Sequence, residues 1–183
     1  MQTIATHLWF NKEAREAAEF YVSLFPQSEI TSITTLHDTP SGSVDTVTFE
    51  LLGREFQAIS AGPYFKFNPS VSLHVTCTTA GEVDRLWARL AEGGAVLMEL
   101  GTYPFSERYG WLQDRYGLSW QLSYPGGSGV SPKIRPFIMF VGSVCGRAEE
   151  AIRFWTSVFP GSHVGAIQHH GEAASYVFAG SEL

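Results

Sequence analysis

The chain has 183 residues, of which 44% are hydrophobic and 14% aromatic, enough for one core or slightly more, and this composition excludes a disordered tail. Twelve basic against eighteen acidic residues leave a formal charge of −6 without any Lys/Arg cluster, so no nucleic-acid partner is expected. Two well-separated cysteines, Cys77 and Cys145, no basic stretch at the N-terminus, and no charge-free apolar run longer than the eleven residues from Pro136 to Gly146 lead to the expectation of a cytoplasmic protein with no membrane partner.

The first strand is expected to carry His7. Ala14, Ala17, Ala18, Tyr21, Leu24 and Phe25 then recur at i, i+3, i+4, i+7, an amphipathic helix stopped by Pro26. Three strands are read at residues 29–36, 44–51 and 54–60, with Val47, Phe49 and Leu51 alternating. A fainter copy of the same order follows: a strand at 71–75, a helix presenting Val83, Leu86, Trp87 and Leu90 and closed by Gly93-Gly94, and strands at 95–98, 110–113 and 119–123. Residues 125–132, PGGSGVSP, contain seven Gly, Pro or Ser and read as a linker. A third unit then begins with a strand at 134–140. Its helix repeats the first at a constant offset: Ala148, Ala151, Ile152, Trp155, Val158 and Phe159 stand where Ala14, Ala17, Ala18, Tyr21, Leu24 and Phe25 stood. Further strands are expected near 164–168 and 175–179.

The repeating unit is therefore strand-helix-strand-strand-strand. One helix covers one face of one sheet, and two units side by side can curl their uncovered faces around a cavity. The expected class is α+β: paired βαβββ modules forming a cupped mixed sheet around a cavity, with helices outside, plus an incomplete third module. The boundaries read are a domain at 1–124 (modules 1–60 and 70–124), a linker at 125–133, and a partial βαββ module at 134–183 that opens a second domain. An isolated half-unit exposes its sheet face, which leads to the expectation of a homodimer.

Several segments together resemble the PhnB-like, 3-demethylubiquinone-9 3-methyltransferase-like branch of the vicinal-oxygen-chelate (glyoxalase/bleomycin-resistance) superfamily. They are Ala17-Ala18-Glu19-Phe20-Tyr21 with Phe25-Pro26, the run from Gly62 to Asn68, the run from Glu82 to Trp87, and the run from Tyr109 to Gln121. The resemblance covers residues 1–125. No Gly-x-Gly loop joins a strand to a helix, so the S-adenosylmethionine site of a doubly wound sheet is not expected.

Enzymes of that superfamily hold a divalent metal with one side chain from the first and one from the last strand of each module. Carried over, the resemblance implies His7 and Gln57 from the first module and His74 and Gln121 from the second. The chain's own repeat supports the pairing, since residues 53–57 and 117–121 share a Gly-x-x-aromatic-Gln pattern. A carboxamide is a weak ligand and cannot take up a proton near neutrality, so these four residues are read as lining a wet cavity for a small molecule, with no cofactor. The other readings are a metal-dependent lyase, isomerase or oxygenase using His7 and His74, and a structural or regulatory dimer without ligand. Glu55, two residues before Gln57, is the carboxylate nearest the set, and Trp111 completes the cavity lining. Trp9 is an alternative wall and Trp120 a core residue. Arg108 and Lys66 are read as surface charges, Cys77 as a small buried hydrophobe, and His169-His170 as an exposed turn.

Overall fold

The computed structural model describes residues 4–167, which divide into a unit reaching Met139 and a second beginning at Phe140. In the first unit β1 (Thr6–Phe10) leads into α1 (Ala14–Leu24), and β2 (Glu29–Thr39), β3 (Gly42–Leu51) and β4 (Arg54–Ser60) follow. The second module repeats this as β5 (Val71–Thr76), α2 (Ala80–Leu90), β6 (Ala95–Tyr103), β7 (Ser106–Gln113) and β8 (Ser119–Tyr124). Every predicted element of these modules is present, and β2, β6 and β7 run several residues longer than their apolar patterns.

Local chemistry sets the element ends. Thr79 caps α2 by accepting from Glu82 N at 3.1 Å, while Glu82 reaches back to Thr78 N at 2.8 Å, so two otherwise unpaired donors are satisfied. The start of α1 has no such residue. Ser60, at the end of β4, accepts from Ala14 N at 3.1 Å instead and ties the helix to its sheet.

Both sheets are mixed. The first has the order β1-β4-β3-β2 and the second β6-β7-β8-β5-β9, where β9 is Lys133–Ile138. In each module the first and last strands pair in parallel. The two modules thus form two sheets, where the sequence pattern suggested one cupped sheet shared between them. Their helix-bearing faces turn toward each other: Phe25 stacks on Trp120 with centroids 6.1 Å apart, and Arg85 donates across the boundary to Leu24 O at 3.0 Å. Those faces carry Phe49, Phe56, Leu73, Leu112, Trp120 and Leu122, all at or below 1% exposure, whereas the opposite faces carry Ser, Thr, Gln, His and Glu together with Trp9, Tyr109 and Trp111. Burying the apolar pair of faces removes the larger apolar area from water.

One buried carboxylate fastens this core. Asp114 accepts from the Tyr21 hydroxyl at 2.7 Å, the Trp120 indole at 2.9 Å, and the backbone N–H groups of Tyr116 and Leu118 at 2.8 and 3.0 Å. Burial pushes its pKa up against the downward pull of those four bonds.

The strand expected to open the third module is β9. It pairs antiparallel with β5 and belongs to the first compact unit. In the second unit, α3 (Ala148–Val158) forms as the repeat predicts, and the Phe140 ring lies 6.0 Å from that of Trp155. Its apolar side, including Trp155, Val158 and Phe159, is exposed among the described residues. Residues 164–167 form no strand, and the rest of that predicted strand, the one near 175–179, and His169-His170 lie outside the described residues.

Candidate functional site

The repeat places two His–Gln pairs in matching registers. His7 lies beside Gln57 across β1 and β4, and His74 beside Gln121 across β5 and β8. Strand alternation puts all four on the polar faces, away from the helices, because Leu8, Phe56, Leu73 and Trp120 next to them point into the core. The pairs sit on different sheets, so the four side chains expected at one site are two half-sites within a chain.

The half-sites differ in surroundings. On the first sheet His7, Gln57 and Glu55 are exposed, and Gln57 Nε2 donates to Glu55 Oε1 at 3.3 Å. Glu55 lies opposite Glu50, which lies opposite Glu29, giving a row of three carboxylates that no ion pair among the described residues neutralises. Trp9 lies on the other side of His7 along the same face of β1: its indole donates to Gly62 O at 2.9 Å, and its ring meets Phe65 edge-on at 5.0 Å.

On the second sheet the half-site is enclosed. Gln121, 6% exposed, accepts from the Tyr109 hydroxyl at 2.9 Å and donates to Ser72 Oγ at 2.7 Å. Trp111 donates to Ser119 Oγ at 2.7 Å, and Ser123 Oγ bonds His74 Nε2 at 3.0 Å. Burial, helped by the charge of Arg135, lowers the His74 pKa to about 4, so the ring is neutral near pH 7. Tyr103, Phe105 and Tyr109 pack together beside this floor, with centroids 5.0 to 5.6 Å apart.

Sequence reasoning missed Ser72, Ser123, Tyr109 and Arg135. Period-two alternation on β7 and β8 contains the signal for Tyr109 and Ser123, since they share a face with Trp111 and Gln121. Nothing local signals Arg135, which reaches this face only because β9 pairs with β5 and sets it opposite His74. Of the other candidates, Arg108 is engaged by Asp84 at 2.7 Å, and burial pushes the Cys77 thiol up to about 12, which suits an inert core residue. Lys66 is exposed and Trp120 is core, as read.

The donors of one chain do not fit a divalent metal. No group of three His, Cys, Asp or Glu converges among the described residues. Gln121 already uses both ends of its amide. Across the β5–β9 boundary, the ring facing His74 at 6.4 Å is Phe137, which has no donor atom to offer. Phe137 precedes Phe140 by three residues as His7 precedes Phe10, so the third module carries phenylalanine where the first two carry histidine.

Known proteins share this architecture. The family described as 3-demethylubiquinone-9 3-methyltransferase matches residues 2–123. The Bacillus cereus PhnB protein, named for the same methyltransferase, shares 46% identity over 67% of this chain and 99% of its own, with a TM-score of 0.63. A Pseudomonas aeruginosa protein (24% identity, 68% and 98% of the two chains, TM-score 0.58) and a glyoxalase family protein of B. cereus (14%, 69% and 95%, 0.52) share the fold. No curated protein matches the chain.

Proposed function

From the premise that the chain belongs to the 3-demethylubiquinone-9 3-methyltransferase family and has the glyoxalase/bleomycin-resistance fold, we propose that it binds a small molecule on the polar sheet faces that carry His7, Gln57, His74 and Gln121. The observation carrying this reading is the doubled register, His7 beside Gln57 and His74 beside Gln121, each pair on the face its module does not cover with a helix. Glu55 and Trp111 belong to the same two faces. In this reading the protein works as a cytoplasmic homodimer, and residues 134–183 open a second domain of the same kind.

Methyl transfer is not part of the proposal. The two mixed sheets lack the parallel doubly wound core that binds S-adenosylmethionine in many methyltransferases. Metal-dependent lyase, isomerase or oxygenase chemistry through His7 and His74 of one chain is not part of it either, because those two residues lie on different sheets.

Native mass spectrometry against a small-molecule library tests the reading. A retained ligand whose amide shift perturbations fall on β1, β4, β5 and β8, and which is lost in His7→Ala or His74→Ala, supports it. Perturbations confined to the helix ends, or retention unaffected by both substitutions, overturn it. The same spectra count zinc, nickel or iron, and a stoichiometric metal lost in His74→Ala would restore the metal reading.

A further inference from the structure

We propose that β1 is the seam through which two copies of this chain join, pairing antiparallel with itself about Thr6 and closing one polar cup from two first modules. This goes beyond the binding reading, which leaves the missing half of the first cup unnamed.

Equivalent positions within the chain locate the seam. Matching registers make His7 and His74 equivalent, and the spacing to Phe10 and Phe140 makes Phe137 their counterpart. Thr6, Leu73 and Pro136 are then equivalent as well. In the structure Leu73 lies directly opposite Pro136, flanked by Ser72 opposite Phe137 and His74 opposite Arg135. Equivalent positions face one another, so the second and third modules meet through their first strands with a local twofold at that pair. The spacing supplies the equivalence and the observed pairing supplies the register, and together they define its position.

That junction uses the edge of β5 that faces away from β8, so β1 of another copy cannot add there. The corresponding edge of β1, facing away from β4, has no partner among the described strands. An open row of backbone N–H and C=O groups beside Trp9 and His7 is a template for another strand. The same twofold operation applied to β1 sets Thr6 against the partner's Thr6 and Ala5 against the partner's His7. It aligns the row containing Glu55 with the partner's His7, two strand spacings away, about 10 Å, with only the small Ala5 between them. The joined face then holds two imidazoles, two Gln57 amides and a carboxylate on each imidazole's row.

Cysteine cross-linking of the full chain in a Cys145→Ser background tests the seam, since Cys77 is buried and Cys145 is the exposed native thiol. Thr6→Cys is expected to give a disulfide-linked dimer under mild oxidation. Ala5→Cys mixed with His7→Cys is expected to give several-fold more cross-linked dimer than either variant alone. Thr48→Cys, two strands inward on the same face, is expected to give none. Light scattering of the uncross-linked parent should show a dimer, and circular dichroism checks that each variant folds. A monomer across the concentration series overturns the proposal, as does a dimer in which Thr6→Cys stays reduced. A monomer that still binds ligand would overturn the seam and leave the binding reading standing.

Discussion

The first two modules share one plan and one His–Gln register, yet they differ in how that pair is housed. His7 and Gln57 stand in water beside a row of three glutamates, while His74 and Gln121 are built into a network with Ser72, Tyr109 and Ser123. The hairpins that lead into the two last strands differ in the same sense. Leu52-Gly53 turns β3 into β4 in two residues, both at positive φ, whereas residues 114–118 turn β7 into β8 around the buried Asp114. A repeat therefore keeps the positions of polar groups on a sheet without keeping their work. In the second module they have become structural, and in the first they remain accessible.

The sharpest test of that division is Asp114→Ala. It strips an acceptor from Tyr21, Trp120 and two backbone amides, all inside the core that joins the modules. A loss of about 3–5 kcal/mol in denaturant unfolding is expected from that many orphaned donors. A loss below about 1 kcal/mol would show that the modules hold together without this fastening.

Next in size is Gln121→Ala, which leaves the Tyr109 and Ser72 hydroxyls without their shared partner. The expected cost is about 1–3 kcal/mol. Gly110→Ala should cost a similar amount for a different reason: a Cβ there would run into the Trp87 ring, so the helix must shift to admit one methyl group. The two variants separate hydrogen-bond loss from overpacking on the two faces of one strand pair, because Gly110 lies opposite Leu122 on the core side of Gln121.

His74 gives a pH signature to the enclosed half-site alone. Its folded-state pKa lies near 4, below the ordinary histidine value, so protonation favours the unfolded chain. The stabilising effect of the neutral ring is present above about pH 6.5 and is lost as pH falls toward 4. Allowing for partial exposure, a loss on the order of 1–2 kcal/mol is expected across that window. Asp114, with its raised pKa, works in the opposite direction, because its charged form is the one the fold penalises; falling pH relieves that penalty at the acid end. His74→Gln should flatten the decline between pH 6.5 and 4, and thermal unfolding at half-unit pH steps reads it directly.

Much of this plan was legible in the residues. The helix-to-helix offset, the alternation of Val47, Phe49 and Leu51, and the Gly-x-x-aromatic-Gln pattern located both modules and both His–Gln pairs. Two things were not legible. Periodicity identifies which face of a strand is apolar, but not which second sheet will cover that face, so the modules' back-to-back packing was invisible. The strand beyond the linker was read at 134–140, but its pairing with β5 was not, because pairing partners are chosen by tertiary geometry. Arg135 thus reached His74 through a junction that no local pattern marks.

Gln57→Ala is the smallest expected change and the most informative about function. Gln57 is exposed, its single hydrogen bond goes to a neighbouring surface carboxylate, and water can replace that bond at little cost. Stability should stay within about 0.5 kcal/mol of the parent, against the larger loss at Gln121. Because the fold does not depend on Gln57, any ligand retention or ligand-induced thermal shift lost with it must come from the face itself. If Gln57→Ala destabilises the protein as much as Gln121→Ala, the two half-sites are equally structural and the accessible first face ceases to be the better binding candidate. If stability holds while ligand retention falls, the exposed glutamine is the member of the pair kept for binding.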